Sequence, residues 1–487
     1  MRVADLAVIA VYLLSITWFG AQFKKKQTTL KDYFLGGKGA PWWAIGFSIV
    51  SAETSTLTVI GTPALSFAGN FTFLQLILGY LLGRIVIAVL FLPQYFRGEM
   101  YTAYELMERR FGPHVRKFTA GTFLLLRALA EGVRVFAVSI VVSIVLGTGE
   151  VASIVVIVSL TLFYTFEGGM TAVIWTDVVQ MVLYIGGALV SFFLILHLIP
   201  GGWTHFVSVG HAAHKFQLFD FRVSLSAKFF QRTYSFWAGL IGGCFLTTAS
   251  HGTEQLLVQR LLSAKSERDS RLALFSSWIV VFFQFGLFLA IGVLLFVYYR
   301  DTGRSAPTIP ERTYPEFIWT HLPLGLAGLV IAAILAAAMS NLSAALNALA
   351  STSIMDFVRP LRPRYPEHHY LRLARWATVA WGVILFSAGM AARHWGSVLE
   401  AGLSIASVLY GALLGVFLLG VLTKRPGEWS AAIGMSAGFV ANLLLHAHVA
   451  YTWYVLIGSF VTFVTGYAAS LVLNENRLNT VPQRIAS

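Results

Sequence analysis

The chain of 487 residues is poor in charge and almost free of cysteine. Only 12% of its residues are Asp, Glu, Lys or Arg, and Cys244 is the single cysteine. One cysteine excludes an internal disulfide. So little charge, with 57% hydrophobic residues and a mean hydropathy of +0.72, excludes a soluble globular protein of this size. No His-Glu-x-x-His helix occurs, and no enzyme is expected. No segment reads as a soluble domain, and the first apolar run lacks a small-residue cleavage site, so it is read as a helix and not a leader. The net charge of +13 finds its explanation in loops at a membrane, not in nucleic acid.

What the chain has instead is long apolar runs. They are too continuous for barrel strands, and the expected fold is an all-α membrane protein. Thirteen spans are expected, at 4–23, 41–63, 71–94, 115–147, 150–168, 172–199, 235–261, 271–299, 321–355, 371–393, 397–422, 427–447 and 451–473. An odd number puts the termini on opposite sides. With the N-terminus outside, and with residues at span ends assigned to the side they adjoin, 23 of the 35 lysines and arginines fall on the inner side, 9 on the outer side, and Arg84, Arg127 and Arg134 within spans. That bias predicts an outside N-terminus and a cytoplasmic C-terminus in a plasma (bacterial inner) membrane. Trp42, Trp43, Trp175, Trp395 and Trp429 sit near span ends, as interfacial anchors do. The longest outer loop, 200–234, contains His205, His211 and His214, read as solvated loop histidines. The inner loop from Arg359 to His369 reads as a charged topology determinant.

Two spans carry the same defect. The second has hydroxyls, Glu53 and a Gly61-Thr62-Pro63 ending at its centre, where an ionisable group facing lipid would cost several kcal/mol. Ser and Thr compete for backbone hydrogen bonds there, so the helix is expected to break at mid-membrane and free carbonyls for a cation. The seventh is interrupted between Thr247 and Thr253. Interrupted segments five spans apart point to an inverted-repeat transporter with its site between the repeats. The ninth span adds Ser340, Ser343 and Asn347 on one helical face, a polar stripe that elsewhere only joins helices.

Several ordered stretches carry a resemblance. They are Asp32–Gly37 followed by Pro41–Trp43; Thr102–Gly112; Gly168–Gln180 with its Trp175-Thr176-Asp177-Val178; Gln255–Arg260 with Ala264–Ser266; and the Ser340 stretch to Asp356. Across residues 30 to 425 the chain resembles the sodium/solute symporter family with its LeuT-type core. The resemblance implies a 5+5 inverted repeat with broken first and sixth core helices. Residues 41–199 and 235–422 would form the repeats, with 4–23 and two helices in 427–473 peripheral. It implies sodium ligands at Ser51, Thr54, Ala337, Ser340 and Asn341, with Asn341 standing where many members have a hydroxyl. Asp177 and Ser343 match a second sodium site or an exit path, although Ala344 replaces a usual hydroxyl. Substrate contacts are implied at Glu53, Ser55, Thr58, Gln75, Arg134, Thr247, Ser250 and His251.

Arg134 has two readings of equal standing: a bidentate grip on a solute carboxylate, or an ion-pair ladder with Glu131 and Arg127 one turn away. The expected function is a sodium-coupled symporter importing a small polar solute, carboxylate-bearing or zwitterionic, by alternating access and as a monomer. Its partners are that solute, sodium and the bilayer. The alternatives are proton coupling through Glu53 and Asp177, or a symporter-like sensor module, the latter weakened because no kinase-like segment follows residue 474. The topology is testable with single cysteines in a Cys244→Ala background. Outside-applied reagent should label position 210 and spare position 361 in intact cells; the reverse pattern would overturn the orientation.

Overall fold

The computed structural model describes residues 2–23, 29–146, 150–223, 226, 228–308, 310–392, 398–445 and 448–473. Numbering only helices of seven residues or more, it has α1 Val3–Ala21, α2 Trp42–Glu53, α3 Thr56–Ala68, α4 Leu74–Val86, α5 Tyr104–Arg110, α6 Pro113–Leu146, α7 Glu150–Leu198, α8 Gly202–Ala212, α9 Gly243–Gly252, α10 Gln255–Leu262, α11 Glu267–Thr302, α12 Pro310–His321, α13 Leu326–Thr352, α14 Glu367–Ala392, α15 Val398–Leu422, α16 Glu428–Leu445 and α17 Tyr454–Leu473. Among the described residues no strand occurs, and nine helices, or ten with the bent pair α2 and α3, are long and apolar enough to cross a membrane. The other three expected spans are helical as well. The span at 115–147 lies in α6, whose Arg127, Glu131 and Arg134 dilute its hydropathy. That at 150–168 is the first limb of α7, which kinks at Gly169 (φ 53°, ψ −152°). The span at 235–261 is split into α9 and α10. Trp395 and the ends of several expected spans lie outside the described residues.

Both expected breaks are present. α2 and α3 meet at 64° across Thr54 (φ −90°, ψ 108°) and Ser55 (φ −101°, ψ 171°). Ser55 caps α3: its amide donates to Thr58 Oγ1 at 3.2 Å, and its carbonyl accepts from the Thr58 amide at 2.9 Å. The second break is at Thr253 and Glu254 (φ −88°, ψ 128°), at the far edge of the polar run. Extended backbone at membrane depth is tolerated only where protein surrounds it.

α13 is the axis of the molecule. Every residue from Val330 to Thr352 is buried, and the run is rich in alanine, which lets neighbouring helices approach closely. α1, α2, α3, α6, α7 and α14 all pack against it. The first span does more than lie at the periphery. Asp5 Oδ1 accepts the amides of Gly325 (2.8 Å) and Gly328 (2.7 Å), so α1 caps the N-terminus of α13 from outside that helix. Arg2 holds the other Asp5 oxygen at 2.9 Å. In the long loop, α8 forms a helix that the sequence pattern did not suggest. Its His205 pairs with Asp301 at 2.8 Å, and His211 packs on Phe216.

α11 presses on α3 through Gly292, where a Cβ would stand 2.0 Å from the Pro63 carbonyl and 2.1 Å from Ser66 Oγ. Gly286, on the same helix, has nothing within 4 Å. Gly292→Ala should therefore cost about 1–3 kcal/mol as an overpacked contact and lower the melting temperature in detergent, while Gly286→Ala leaves it unchanged. Equal melting of both variants would show that α3 and α11 do not hold each other this closely.

Candidate transport site

A cavity of 170 Å³ opens beside the first break. α2 and α3 line it with Glu53, Ser55 and Thr58, α9 with Ser250 and His251, and α6 with Arg127 and Arg134. Tyr80, Phe73, Phe285 and Tyr410 supply its aromatic walls. Six of the eight expected substrate residues thus meet at one place. The other two do not. Gln75 donates to the carbonyls of Thr72 (2.9 Å) and Tyr234 (3.0 Å) and accepts the Asp220 amide at 3.0 Å, so it braces the entrance loop. Thr247 is buried with its methyl group beneath Gly83, between α9 and α4.

The charges of the site are arranged in two networks. In the first, Arg84 of α4 meets Glu53 Oε2 at 2.9 Å, and His251 Nε2 lies 3.3 Å from the same oxygen. Arg84 is wholly buried and also donates to the Leu274 carbonyl at 3.1 Å. Glu53 is therefore partnered inside the protein, a contact the sequence pattern did not reveal. Its one legible signal was an arginine alone in an otherwise apolar span. In the second network Arg127 bridges Glu131 (2.5 Å) and Glu254 (3.1 Å), Arg134 pairs with Glu131, and Tyr410 donates to Glu254. Arg134 completes the ion-pair ladder and also lines the cavity, with its side chain 26% exposed against 4% for Arg127. Three arginines face three glutamates, so the site carries no net charge with His251 neutral.

Of the expected ion ligands, Ser51, Ser340 and Asp177 meet in one hydrogen-bonded group. Ser340 Oγ donates to Asp177 Oδ1 at 2.6 Å, which leaves Ser51 Oγ, also at 2.6 Å, to donate to Ser340. Ser48 Oγ donates to Asp177 Oδ2 at 2.5 Å. Arg260 of α10 closes the group, 2.8 Å from both Asp177 and Ser48. Ser343 turns away and donates to the Ser340 carbonyl at 2.9 Å. Thr54 Oγ1 donates back to the Val50 carbonyl at 2.8 Å and accepts from Gln284 at 2.7 Å. Asn341 Nδ2 donates to the Ala52 carbonyl at 2.7 Å, whereas its Oδ1 is buried with no partner. Ala337 is fully buried one turn before Ser340 and Asn341, where its carbonyl is the group the site would use. Hydroxyls, a carboxylate, carbonyls of a broken helix and an orphan amide oxygen are the donor set of a hard cation. A 10 Å³ cleft lined by Ser55, Thr56, Glu131, Arg134 and Asn341 shares Ser55 and Arg134 with the larger cavity.

Removing one member of a buried ion pair strands the other. Glu53→Gln and Arg84→Gln should each cost about 3–5 kcal/mol in unfolding experiments, and the double variant clearly less than their sum. Additive losses would mean that the two side chains do not depend on each other.

Residues 33–438 match the sodium:solute symporter family. The chain is similar to a sodium/sialic acid symporter of Proteus mirabilis, 29% identical over 94% of this chain and 93% of that protein. It is also similar to a sodium-coupled monocarboxylate transporter 2 of Bos taurus, 28% identical over 93% of this chain and 72% of that one, and to the human sodium/iodide cotransporter, 27% identical over 90% and 69%. Its fold matches a Na+-coupled sialic acid symporter solved in a substrate-bound outward-open state, with a TM-score of 0.87 and 28% identity over 96% of this chain and 98% of that chain. A nucleobase-cation-symport transporter in a closed conformation shares the fold at a TM-score of 0.58 and 12% identity, covering 92% and 96% of the two chains. The chain belongs to the sodium:solute symporter family, a multi-pass LeuT-type transporter with sodium as its coupling ion, and not an enzyme.

Proposed function

We propose that this symporter imports a small polar solute bearing a carboxylate, gripped by Arg134. The observation that carries the reading is the position of that guanidinium. It is the most exposed of the three arginines of the site, and it shares a cleft with Ser55 and Thr56 at the N-terminus of α3. A helix N-terminus and an arginine fork both favour an anion. Glu53 Oε1 has no partner and belongs to a residue of the cavity wall, so it accepts a hydroxyl or amino group at the solute's other end. The relatives named for sialic acid, monocarboxylate and iodide all take anionic solutes, which supports the same charge preference.

Sodium binds in this reading at Ser51, Thr54, Ala337, Ser340 and Asn341. Asp177, locked by Arg260 and Ser48, then serves ion exit more readily than it serves a second tightly held sodium. The cleft between Arg134 and Asn341 is where solute and ion feel each other: a bound cation near Asn341 favours a carboxylate beside Arg134. The two breaks support a pair of five-helix repeats at 41–199 and 235–422. The lysine and arginine bias supports an outside N-terminus and a cytoplasmic C-terminus in a plasma (bacterial inner) membrane.

One experiment separates the roles. Purified protein is titrated with sodium and a library of carboxylates by thermal shift, beside uptake in proteoliposomes. Arg134→Gln should abolish uptake and solute-induced stabilisation while keeping stabilisation by sodium. Ser340→Ala should raise the half-saturating sodium by about tenfold, a loss of the order of one ligand, with solute binding at saturating sodium nearly unchanged. Asn341→Ser should remain active. Uptake at the native level by Arg134→Gln would confine that arginine to the ladder and remove the case for an anionic solute.

A further inference from the structure

Outside the transport site, three arginines converge on another cavity. The chain leaves the short helix Leu92–Tyr95, turns at Gly98 and enters α5. Arg97, Arg109 and Arg110 line a cavity of 280 Å³ together with Leu106, Met107 and the end of α15 at Gly420 and Val421. Among the described residues no carboxylate lines it. The nearby acids are engaged elsewhere: Glu99 with Lys31 at 2.7 Å, Glu108 with Arg116, and Glu428 with His114 at 3.0 Å.

The arginines are held, not merely present. Arg109 donates to the carbonyls of Arg97 (2.6 Å) and Glu99 (2.8 Å). Arg110 donates to the carbonyls of Gly420 (3.2 Å) and Thr423 (3.0 Å) at the C-terminus of α15. Gly98 has φ +93°, and a Cβ there would stand 3.3 Å from Arg109 Nη1. A guanidinium has five donors, and these carbonyls use about two on each, so donors remain for the cavity. Burial with no carboxylate to offset it pulls the Arg110 guanidinium below its usual value. Arginines that serve topology alone are free in solvent; Arg109 and Arg110 are fixed by backbone beside this space.

We propose that this cavity binds the phosphate of an anionic phospholipid headgroup. Arginine forks match phosphate, and basic pockets between spans on the cytoplasmic side are where such headgroups dock. The cavity lies in the 95–114 segment, on the face that the charge bias assigns to the cytoplasm. A lipid is favoured over free phosphate because the floor, Leu106 and Met107, is apolar and the adjoining Leu422 is 54% exposed beside it, a surface for the acyl chains. A headgroup here would tie the α4–α5 bracket to α15, which also carries Tyr410 of the transport site.

The test uses full-length protein in a neutral detergent, titrated with short-chain phosphatidylglycerol, phosphatidylcholine or inorganic phosphate and read by native mass spectrometry and thermal shift. Phosphatidylglycerol should bind about tenfold or more tighter than phosphatidylcholine, and Arg97→Gln combined with Arg110→Gln should remove that preference. Arg97→Gln alone, whose one bond is to Gln94 at 3.3 Å, should weaken it severalfold without affecting folding. Lys265→Gln with Arg268→Gln, exposed charges outside the cavity, should leave it intact. Equal binding of the two lipids, an unchanged preference in both cavity variants, or an equal loss in the control would overturn the site. Saturation by inorganic phosphate with no preference between lipids would overturn the lipid assignment.

Discussion

Hydrocarbon offers no hydrogen bonds, so every polar group released where α2 gives way to α3 needs a partner within the protein. The surroundings of Thr54 and Ser55 are built to that requirement. Asn341 of α13 donates to the Ala52 carbonyl, Gln284 of α11 donates to Thr54, and Thr58 closes the first turn of α3 on Ser55. The price of the break is thus met by two helices distant in sequence and by the first turn of α3 itself. A site that uses freed carbonyls for an ion can exist only where such helices surround it.

The same constraint governs charge. Arg84, Arg127, Arg134 and Arg260 lie at membrane depth, and each has a carboxylate within 3.1 Å or in closer contact. Such pairs are costly to desolvate and costlier to break, which makes them weak sources of stability and strong sources of geometry. Glu53 and Arg84 set the wall of the cavity at one break, and Glu254 with Arg127 sets it at the other. Because the site is electrically balanced without its cargo, the proposed solute carboxylate and a sodium ion would keep it balanced by arriving together, whereas either alone would not.

α13 is where these requirements meet. It carries Ser340 and Asn341 against the first break, and its N-terminus is capped by Asp5 of α1. The helix read from sequence as peripheral therefore positions the one on which the ion site depends. The polar stripe of α13 looked equally suited to plain helix association. Its contacts with Asp177 and Ser51 fit the ion site proposed above.

Apolar runs, the charge bias of the loops and the two hydroxyl-rich interruptions were legible in the sequence. Each is a local property: hydropathy over about 20 residues, or Ser and Thr competing with their own backbone. The thirteen helical segments, the all-α class and the break beside Glu53 are consequences of these. The partners did not show there. Arg84 lies 31 residues from Glu53, Arg260 lies 83 from Asp177, and Glu254 lies 127 from Arg127. Nothing local distinguishes Gln75, which braces a loop, from Thr58, which lines the cavity. Only the packing of helices decides which buried charge finds which counter-charge, because in a low dielectric that choice depends on angstroms of approach and not on residue type.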